Sequence, residues 1–313
     1  MSSTFSIIIC THNRCNYLAR CIESVFTQDY PKDSFEILIV DNNSADATPE
    51  TVATIAHESP VPFNYYTELK QGLSHARNCG IRHSHMDFIV YLDDDATATT
   101  RWLSVFDATI KELGADIVGG KIIPVPERGF TPPAWFDSMY VKGFFGLDYA
   151  TWGYKERIIP IEHPLYLGGG NSCYRKSLFA LPWVRYDCGL GRAGKKLFQG
   201  EETLLNFFLK KAGYKIFYNA DAIIYHYVDS DRINKQHIKS KAFWGGYSDA
   251  WMHRKMFGRR YVYSRAIVEC RKSFRDRRRA RREGETVLFE KQCLLSHELG
   301  YLLRALKFWD IIA

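Results

Sequence analysis

Short apolar runs rich in β-branched residues alternate with helical patterns over the first 120 residues of the chain. The three clearest runs are FSIIIC at 5–10, FEILIV at 35–40 and FIVYL at 88–92. Runs of this length and composition are typical of buried parallel strands. Between the first two runs, apolar residues recur at helical spacing up to Tyr30-Pro31, namely Leu18, Ile22, Val25 and Phe26. The repeated β-α-β order predicts right-handed crossovers and an α/β fold with a doubly wound sheet.

The second part of the chain begins with an irregular stretch and ends in helices. Residues 124–167 are rich in Pro, Gly and aromatic residues, which favours loops plus an edge strand. The pattern then predicts a helix from Glu201 to Lys211, one or two strands over 215–227, and helices after Asp229. One face of the last, amphipathic helix carries Leu288, Leu295, Leu299, Leu302, Leu306 and Trp309.

Composition narrows the class of protein. The chain has 313 residues, of which 46% are hydrophobic and 25% charged, enough for one large α/β domain or two closely fused ones. The net charge of +7 is concentrated in residues 254–282, which hold 13 Lys or Arg against Glu269 and Asp276. Because the rest of the chain has more acidic than basic residues, a general nucleic-acid-binding surface does not follow, and we expect no nucleic-acid partner.

Cysteines and hydropathy indicate the compartment. The eight cysteines form no C-x-x-C pair, which favours reduced thiols. The N-terminus lacks the pattern of a signal peptide, and no run reaches the roughly 18 apolar residues of a spanning helix. We expect a cytoplasmic protein, or one peripheral on the inner face of the cell membrane. The basic segment and the last helix favour contact with an anionic membrane surface, or form a solvated helix whose apolar face packs on the core.

Polar residues follow three of the predicted strands: residues 11–14, 41–44 and 93–95. In a doubly wound sheet these segments meet in one crevice beyond the carboxyl ends of the strands. The acidic triplet in YLDDDA repels itself unless a cation or hydrogen-bond donors offset it, and hard oxygen ligands suit Mg²⁺ or Mn²⁺. The same triplet also fits an acidic turn that caps the next helix.

Other segments are weaker signals with two interpretations each. Asp41 suits a carboxylate that accepts a hydrogen bond from a nucleobase, or an Asx turn with Thr48 as helix cap. Arg14 in THNR and Arg77 in GLSHARN are candidate diphosphate partners, since guanidinium matches phosphate geometry, although both segments fit plain turns. His226 completes a metal site or is structural.

Two further motifs carry candidate chemistry. Glu201 and Glu202 begin a helix whose dipole favours ionised carboxylates, which suits a general base but is also common in ordinary first turns. In GGGNSC, the glycines before Asn171 predict a flexible loop in which backbone approaches a ligand closely. Its spacing differs from that of a phosphate-binding loop.

Taken together, these residues resemble family 2 glycosyltransferases with the GT-A fold. The matching segments, in the order of the family, are SIIICTHNR, IVDNNSADAT, GLSHARNCGI, YLDDDA, GGGNSCYRKSLF, QGEETLLNFFLKKAGYKIFYNADAIIYH and KAFWGGYSDAW. They cover roughly residues 4–251. The resemblance implies a Rossmann-like doubly wound, mostly parallel sheet flanked by helices, with a helical C-terminal extension. It divides the chain into a donor-binding half (1–123), an acceptor-binding and catalytic half (124–230) and a basic extension (231–313).

The resemblance also implies roles for single residues. Asp41 reads the nucleobase, Asp93 holds the ribose, Asp94 supports the turn, and Asp95 ligates the metal together with His226. The other donor-binding positions are Thr11, Asn13, Arg14, Asn43 and Arg77, and the acceptor-binding positions are Gly169, Gly170 and Asn171.

The chain departs from the family pattern at two of these positions. Glu202 stands where the family's base is usually aspartate, so both Glu202, which we favour, and Glu201 are candidates. Asn42 and Asn43 stand where the common form reads closer to VDDGS, so the preference for a nucleobase is not carried over.

The resemblance implies an inverting glycosyltransferase that depends on Mn²⁺ or Mg²⁺. It moves a sugar from a nucleotide-diphosphate donor, with UDP-sugar favoured, to a hydroxyl of a glycan or lipid-linked acceptor in surface polysaccharide or glycoconjugate synthesis. Two alternatives stay open from the residues alone: a nucleotide-sugar-binding protein without catalysis, and a metal-dependent nucleotidyltransferase or phosphohydrolase.

Overall fold

The computed structural model describes residues 2–280 and 283–307, so the predicted positions Arg281, Arg282 and Trp309 lie outside the described residues. The chain forms two compact units. The first unit comprises Met1–Val125, Gly146–Cys188 and Glu201–Tyr227, and the second comprises Pro126–Phe145, Gly189–Gly200 and Val228–Ala313. The division of the chain at 123 and 230 stays a prediction.

Strands and helices alternate in the first part of the chain, and long helices follow. The strands are β1 (Phe5–Thr11), β2 (Phe35–Asp41), β3 (Phe63–Thr67), β4 (Phe88–Leu92), β5 (Ala96–Ala98), β6 (Ile117–Pro126), β7 (Ile158–Pro160), β8 (Asn171–Arg175) and β9 (Ile216–Val228). The helices are α1 (Cys15–Phe26), α2 (Thr48–His57), α3 (Leu73–His83), α4 (Trp102–Leu113), α5 (Met139–Lys142), α6 (Glu201–Lys211), α7 (Lys235–Phe257), α8 (Arg259–Ala280) and α9 (Glu285–Lys307).

The sheet of the first unit has the strand order β3-β2-β1-β4-β8-β6-β9-β5, and β7 pairs with β9. Strands β3, β2, β1 and β4 are parallel. Strand β8 is antiparallel to both β4 and β6, and β5 is antiparallel to β9. The predicted α/β fold is therefore confirmed, and the parallel strands bring their carboxyl ends to one edge, where Thr11 pairs with Asp41.

Both faces of the parallel strands are covered, which explains their continuous apolar sequences. On one face, Ile7 and Ile9 belong to a core with Leu18 and Ile22 of α1. On the other, Ile8 packs against α3, where a Cβ at Gly80 would lie 2.6 Å from the Ile8 Cγ2 atom. Burying each such aliphatic side chain contributes roughly 1.5–3 kcal/mol.

Several local predictions hold and others need correction. Residues 124–167 do form loops and short helices with the edge strand β7. Helix α1 ends at Phe26, before the predicted stop at Tyr30-Pro31. Thr48 is not the cap of α2, because Ala47 occupies that position and the Asp46 carboxylate already accepts the Thr48 N–H and O–H hydrogen bonds.

The second unit is built on α7, α8 and α9. A Cβ at Gly246 of α7 would lie 1.8 Å from the His297 carbonyl oxygen, and one at Gly300 of α9 would lie 2.0 Å from the Phe243 carbonyl oxygen. These glycines let α7 and α9 approach backbone to backbone. The predicted leucine stripe does not form a single buried face as a result, since Leu295 is buried whereas Leu299 and Leu306 are exposed.

Within 2–280 and 283–307, no helix is both long and apolar enough to cross a bilayer.

Candidate active site

The acidic triplet forms a tight turn between β4 and β5. The Ala96 N–H donates to the Asp93 carbonyl oxygen at 3.0 Å, so the chain reverses and enters β5. Pairing of β5 with β9 then places Ala96 opposite His226. Asp95 Oδ1 lies 3.4 Å from His226 Nε2, and Arg14 Nη1 donates to Asp95 Oδ2 at 2.7 Å. Sheet register therefore brings together two residues that are 131 positions apart in the sequence.

The pair Asp95 and His226 offers ligands for a divalent ion. Across the residues described, no group of three or more His, Cys, Asp or Glu side chains is arranged to hold a metal ion. A carboxylate oxygen and an imidazole nitrogen are ligands that Mn²⁺ accepts, and Mg²⁺ and Mn²⁺ sites commonly use few protein ligands together with phosphate oxygens and water. The donor set fits an ion that is shared with a diphosphate.

Asp94 is a buried carboxylate of the turn whose pKa is raised. Its side chain is buried, and burial raises its pKa to about 7, with a further contribution from the negative charge of Asp95. The Arg14 guanidinium opposes this shift only in part. A cation bound at the turn would favour the ionised form of all three carboxylates.

Asp41 lies at the end of β2, and both of its carboxylate oxygens accept hydrogen bonds. Oδ1 accepts from the Ser44 N–H at 2.9 Å, and Oδ2 accepts from the Tyr65 hydroxyl at 2.6 Å. The turn of the Asx interpretation therefore forms, and it fixes the orientation of the carboxylate. Tyr65 was not found from the sequence, because its segment FNYYT was not recognised as strand β3.

The loops after β1 and β2 are joined by two asparagine-centred contacts. Asn13 and Asn43 have positive φ angles of 54° and 63°, a conformation that Asn tolerates better than most residues. The Asn13 N–H donates to Ser44 Oγ at 2.9 Å, and Asn13 Oδ1 accepts from the Ala45 N–H at 2.7 Å. Thr11 is buried where β1 enters this region. Asn43 occupies, in the left-handed conformation, the place where the family pattern has glycine.

A buried arginine connects the acidic turn with the start of α6. Arg77 Nη1 donates to Glu201 Oε1 at 2.5 Å and lies 4.0 Å from Glu202 Oε2, while Nη2 lies 3.8 Å from Asp93 Oδ1. We call these four residues, Arg77, Asp93, Glu201 and Glu202, the Arg77 cluster. The guanidinium lies against two tyrosine rings that also contact each other, Tyr91 and Tyr186, at 5.4 and 5.3 Å from their centres. The sequence predicted Arg77 as a diphosphate partner, and the structure shows it bonded to carboxylates.

The two glutamates of the Arg77 cluster differ in access. The Glu201 side chain is 5% exposed and holds the arginine, whereas that of Glu202 is 16% exposed. Burial raises the pKa of Glu202 to about 8, the charge of Glu201 adds to this, and Arg77 opposes it. The predicted favourable effect of the helix dipole on ionised Glu202 stays a prediction, and burial and the charge of Glu201 act against it.

The glycine triplet contacts protein side chains of the cluster. A Cβ at Gly169 would lie 2.8 Å from Arg77 Nη2, and a Cβ at Gly170 would lie 2.1 Å from Asp93 Oδ2. Asn171 begins strand β8 instead of belonging to a flexible loop, because its fully buried amide bonds three partners: the Trp102 indole N–H and the carbonyl oxygens of Lys121 and Ala222. The triplet therefore lets backbone pack directly against the side chains of Asp93 and Arg77.

The chain is similar in sequence to known proteins. The family model described as Glycosyl transferase family 2 matches residues 6–179. The glycosyltransferase AglE of Haloferax volcanii is 34% identical over 145 residues, covering 44% of this chain and 46% of that protein. The succinoglycan biosynthesis protein ExoM of Rhizobium meliloti is 24% identical over 271 residues, covering 85% of this chain and 81% of that protein.

Solved structures share the fold. S. aureus TarS 1-349 in complex with UDP aligns with a TM-score of 0.53 and 17% identity, covering 98% of this chain and 91% of that one. The mannosyltransferase PcManGT from Pyrobaculum calidifontis, in complex with GDP-Man and Mn²⁺, aligns with a TM-score of 0.56 and 16% identity, covering 100% and 76%. These similarities confirm the predicted GT-A fold.

Proposed function

The chain belongs to glycosyl transferase family 2, and from this premise we propose that it transfers a sugar from a UDP-sugar to a hydroxyl of a glycan or lipid-linked acceptor. The observation that carries the proposal is the Arg77 cluster, in which one guanidinium links Asp93 of the acidic turn to both glutamates of α6. Donor-binding and proton-accepting groups are thereby held in one rigid arrangement. Surface polysaccharide or glycoconjugate synthesis is the process we propose for it, in agreement with the name of ExoM.

The donor is held at the carboxyl edge of the parallel strands. Asp41, oriented by Tyr65 and Ser44, accepts a hydrogen bond from the nucleobase. Asp93 binds the ribose, while Asp94 shapes the turn. The asparagine-linked loops form the wall beside the base, and Arg14 offers its guanidinium to the diphosphate. UDP is supported as the nucleotide by the UDP complex of TarS, which shares the fold.

Asp95 and His226 would hold Mn²⁺ or Mg²⁺ on the donor diphosphate. When bound there, the ion supplies charge stabilisation for the departing diphosphate. The Mn²⁺ complex of PcManGT supports a divalent ion in this fold. Arg14 donates a hydrogen bond to Asp95, so the guanidinium and the ion would share this carboxylate.

Glu202 takes the proton of the acceptor hydroxyl as that oxygen attacks the anomeric carbon. We favour Glu202 because it is the more accessible of the two and because Glu201 is committed to Arg77 at 2.5 Å. Glu201 then acts as a positioning residue through the arginine. With one base and no covalent nucleophile, attack from the face opposite the leaving group inverts the anomeric configuration. Gly169 and Gly170 form the backbone surface on which the acceptor is expected beside these groups.

Helix α8 is the surface we propose for contact with an anionic membrane. Ile267 and Phe274 are exposed and lie two turns apart on one face, with exposed Arg271 between them. Exposed apolar side chains among cations are typical of helices that lie in a membrane interface, where each basic residue contributes about 1 kcal/mol. Such contact would place the enzyme at the inner face of the cell membrane, near a lipid-linked acceptor.

The membrane proposal is tested with the full chain and vesicles. We expect sedimentation with phosphatidylglycerol vesicles at low salt, little with phosphatidylcholine, and loss of binding in Ile267→Asp. Met139→Asp removes an exposed apolar residue elsewhere and serves as the matched control. Equal binding by Ile267→Asp and the unmodified chain would contradict the proposal.

The donor and metal assignments are tested by thermal stabilisation. We expect the unfolding midpoint to rise with one class among UDP-, dTDP- and GDP-sugars, and to rise further with Mn²⁺ or Mg²⁺, since binding stabilises by mass action. In Asp95→Asn the metal-dependent part of the rise should disappear while the metal-independent part remains. Donor binding in Asp95→Asn that responds to Mn²⁺ as before would overturn the metal assignment.

A further inference from the structure

The carboxylate at the end of β2 is held by hydrogen-bond donors on both of its oxygens. Asp41 is 2% exposed, so it is shielded from water. The Ser44 N–H donates to Oδ1 at 2.9 Å, and the Tyr65 hydroxyl donates to Oδ2 at 2.6 Å. A short O–H···O bond to an ionised acceptor is among the stronger hydrogen bonds in proteins. The protein itself therefore fixes the orientation of this carboxylate.

The donor on Oδ1 belongs to the backbone of a well-connected loop. The Asn13 N–H donates to Ser44 Oγ at 2.9 Å, and Asn13 Oδ1 accepts from the Ala45 N–H at 2.7 Å. Because Ser44 donates to Asp41 with its main-chain N–H, this contact is made by every residue type except proline. The contact on Oδ1 is therefore largely independent of side-chain identity.

The donor on Oδ2 belongs to a side chain of the neighbouring strand. In the parallel pair of β2 and β3, Tyr65 lies opposite Ile39, and Asp41 lies opposite Thr67. Side chains two positions apart share a face of the sheet, so the tyrosine reaches along β3 to the carboxylate. Burial, followed by the hydrogen bond to Asp41, raises the pKa of Tyr65 to about 12, so the hydroxyl keeps its proton near neutral pH. This contact depends on the residue type at position 65.

Nucleobases differ in the number of donors that they offer to a carboxylate. Guanine presents N1–H and N2–H side by side, and a carboxylate accepts both only when its two oxygens face the base together. Uracil presents one donor, N3–H, between two carbonyl oxygens that repel a carboxylate oxygen without a donor of its own. At Asp41, Ser44 and Tyr65 each use accepting capacity on one oxygen. A base with one donor therefore fits, whereas guanine is left with an unpaired donor, which is unfavourable at a buried site.

We infer that Tyr65 is a specificity-determining residue that makes the nucleobase site accept uracil and reject guanine. Its hydroxyl offsets charge on Asp41 Oδ2, so that oxygen tolerates a uracil carbonyl and does not accept a second donor from guanine. Because the Tyr65 side chain is 36% exposed, removing the hydroxyl leaves the packing of the sheet intact. This inference rests on the proposed function, because it names the base of the donor and the residue that selects it.

The test is calorimetric titration of the full chain, at constant Mn²⁺, with the 5′-diphosphates of uridine, guanosine and inosine. Inosine diphosphate has the purine shape of GDP but lacks the N2 amino group, so this pair isolates one donor. In the unmodified chain we expect UDP to bind most tightly, and GDP no better than inosine diphosphate. In Tyr65→Phe, Oδ2 of Asp41 is free to accept the second donor, so GDP should bind about tenfold more tightly than inosine diphosphate.

Tyr66→Phe is the matched control. It removes the same hydroxyl from the next residue of β3, whose ring stacks on His83 with 4.0 Å between the ring centres. Because successive side chains of a strand point to opposite faces, this variant should keep the nucleotide preferences of the unmodified chain. A shift in both variants would mean that general loosening of β3 causes the change, which would overturn the inference.

Other outcomes overturn the inference in identifiable ways. Equal affinity of Tyr65→Phe for GDP and inosine diphosphate, or no purine binding at all, would mean that the shape of the site excludes guanine. Uniformly weaker binding of all three nucleotides would leave Tyr65 as a positioning residue without a role in selection. Tighter binding of GDP than UDP by the unmodified chain would overturn the choice of base while leaving sugar transfer intact. Absence of nucleotide binding and of sugar transfer in the folded, unmodified chain would instead contradict the proposed function.

Discussion

Each compact unit buries a group of charged side chains, and the two groups differ in how their charges are balanced. In the second unit, Glu298 accepts two hydrogen bonds from Arg265 at 3.1 and 3.2 Å, and His297 lies between Glu298 and Asp249 at 3.0 Å from each. We call these four residues the helical charge network. Each cation there has a carboxylate partner in good geometry.

The pKa shifts express the same difference. Burial acts to raise the pKa of Glu298, but His297 and Arg265 outweigh it and lower that pKa. Burial likewise acts to lower the pKa of His297, but Asp249 and Glu298 raise it to about 9. The charged forms of Glu298, Arg265 and His297 are therefore favoured. In the Arg77 cluster, three carboxylates share one guanidinium, and Glu202 is shifted toward its neutral form. Removing one partner from a balanced buried network destabilises the fold, whereas an unbalanced group of titratable side chains is typical of a functional site.

The largest expected effect is on turnover. Glu202→Gln should lower kcat by about 10²-fold or more, the usual contribution of a general base, while donor affinity stays nearly unchanged because the isosteric amide keeps the packing. Steady-state kinetics and donor titration measure the two quantities. Glu156→Gln, at an exposed site, should leave both unchanged. If Glu202→Gln loses donor binding as well as kcat, the role of Glu202 would be donor recognition and not proton transfer.

The corresponding substitution in the helical charge network should lower the free energy of unfolding. Glu298→Gln leaves Arg265 and His297 without their shared carboxylate, and breaking a buried ion pair costs about 3 kcal/mol. Urea unfolding measures the loss, with Glu290→Gln of the same helix as a control that changes stability by less than about 1 kcal/mol. A Glu298→Gln variant as stable as the unmodified chain would remove the contrast between the two groups.

A third effect is expected in the pH dependence of the reaction. Glu202 must be ionised to accept a proton, and its pKa is raised to about 8, so the reactive fraction grows about tenfold per pH unit below that value. We expect kcat/KM to rise from pH 6 and to level off near pH 8, with no such rise in the residual activity of Glu202→Gln. A flat profile in the unmodified enzyme would argue against this base.

The smallest expected effect is on the pH dependence of stability. The folded pKa of His297 lies above its ordinary value of 6.5, so its contribution is complete below pH 6.5 and is lost as pH rises through about 9. The difference in unfolding midpoint between the unmodified chain and His297→Gln should therefore shrink from pH 6 to pH 10. For Glu202 the ordinary pKa is 4.5 and the folded pKa is about 8, so stability falls as pH rises between these two values, because the unfolded chain loses this proton first. A His297→Gln difference independent of pH would contradict the assignment.

The sequence was sufficient for three of the four parallel strands, but not for the parallel strand β3 or for the antiparallel strand β8. Strands β1, β2 and β4 are continuous apolar runs because helices cover both of their faces. Strand β3 is half-exposed, and β8 begins with a polar residue after three glycines, so neither shows a clear period. Both form because of partners that are distant in the chain.

The candidate site, too, was predictable from the sequence only in part. The carboxylates were found because an acidic run after an apolar strand is unusual, and the resemblance to a family gave them roles. The contacts of Arg77 were not predicted, since Glu201 lies 124 positions later and only tertiary packing joins them. Tyr65 carries no signal of its own in the sequence, and only the structure shows its hydrogen bond to Asp41.

The close approach of Gly169 and Gly170 to Arg77 and Asp93 has a consequence for how the chain tolerates mutation. Neither glycine carries a reactive group, yet any larger residue at 170 places a carbon 2.1 Å from Asp93 Oδ2. A larger residue at either position would therefore force the Arg77 guanidinium or the Asp93 carboxylate to shift. A survey of substitutions across the whole chain would rank both glycines beside Glu202, although their contribution is the space that they leave empty.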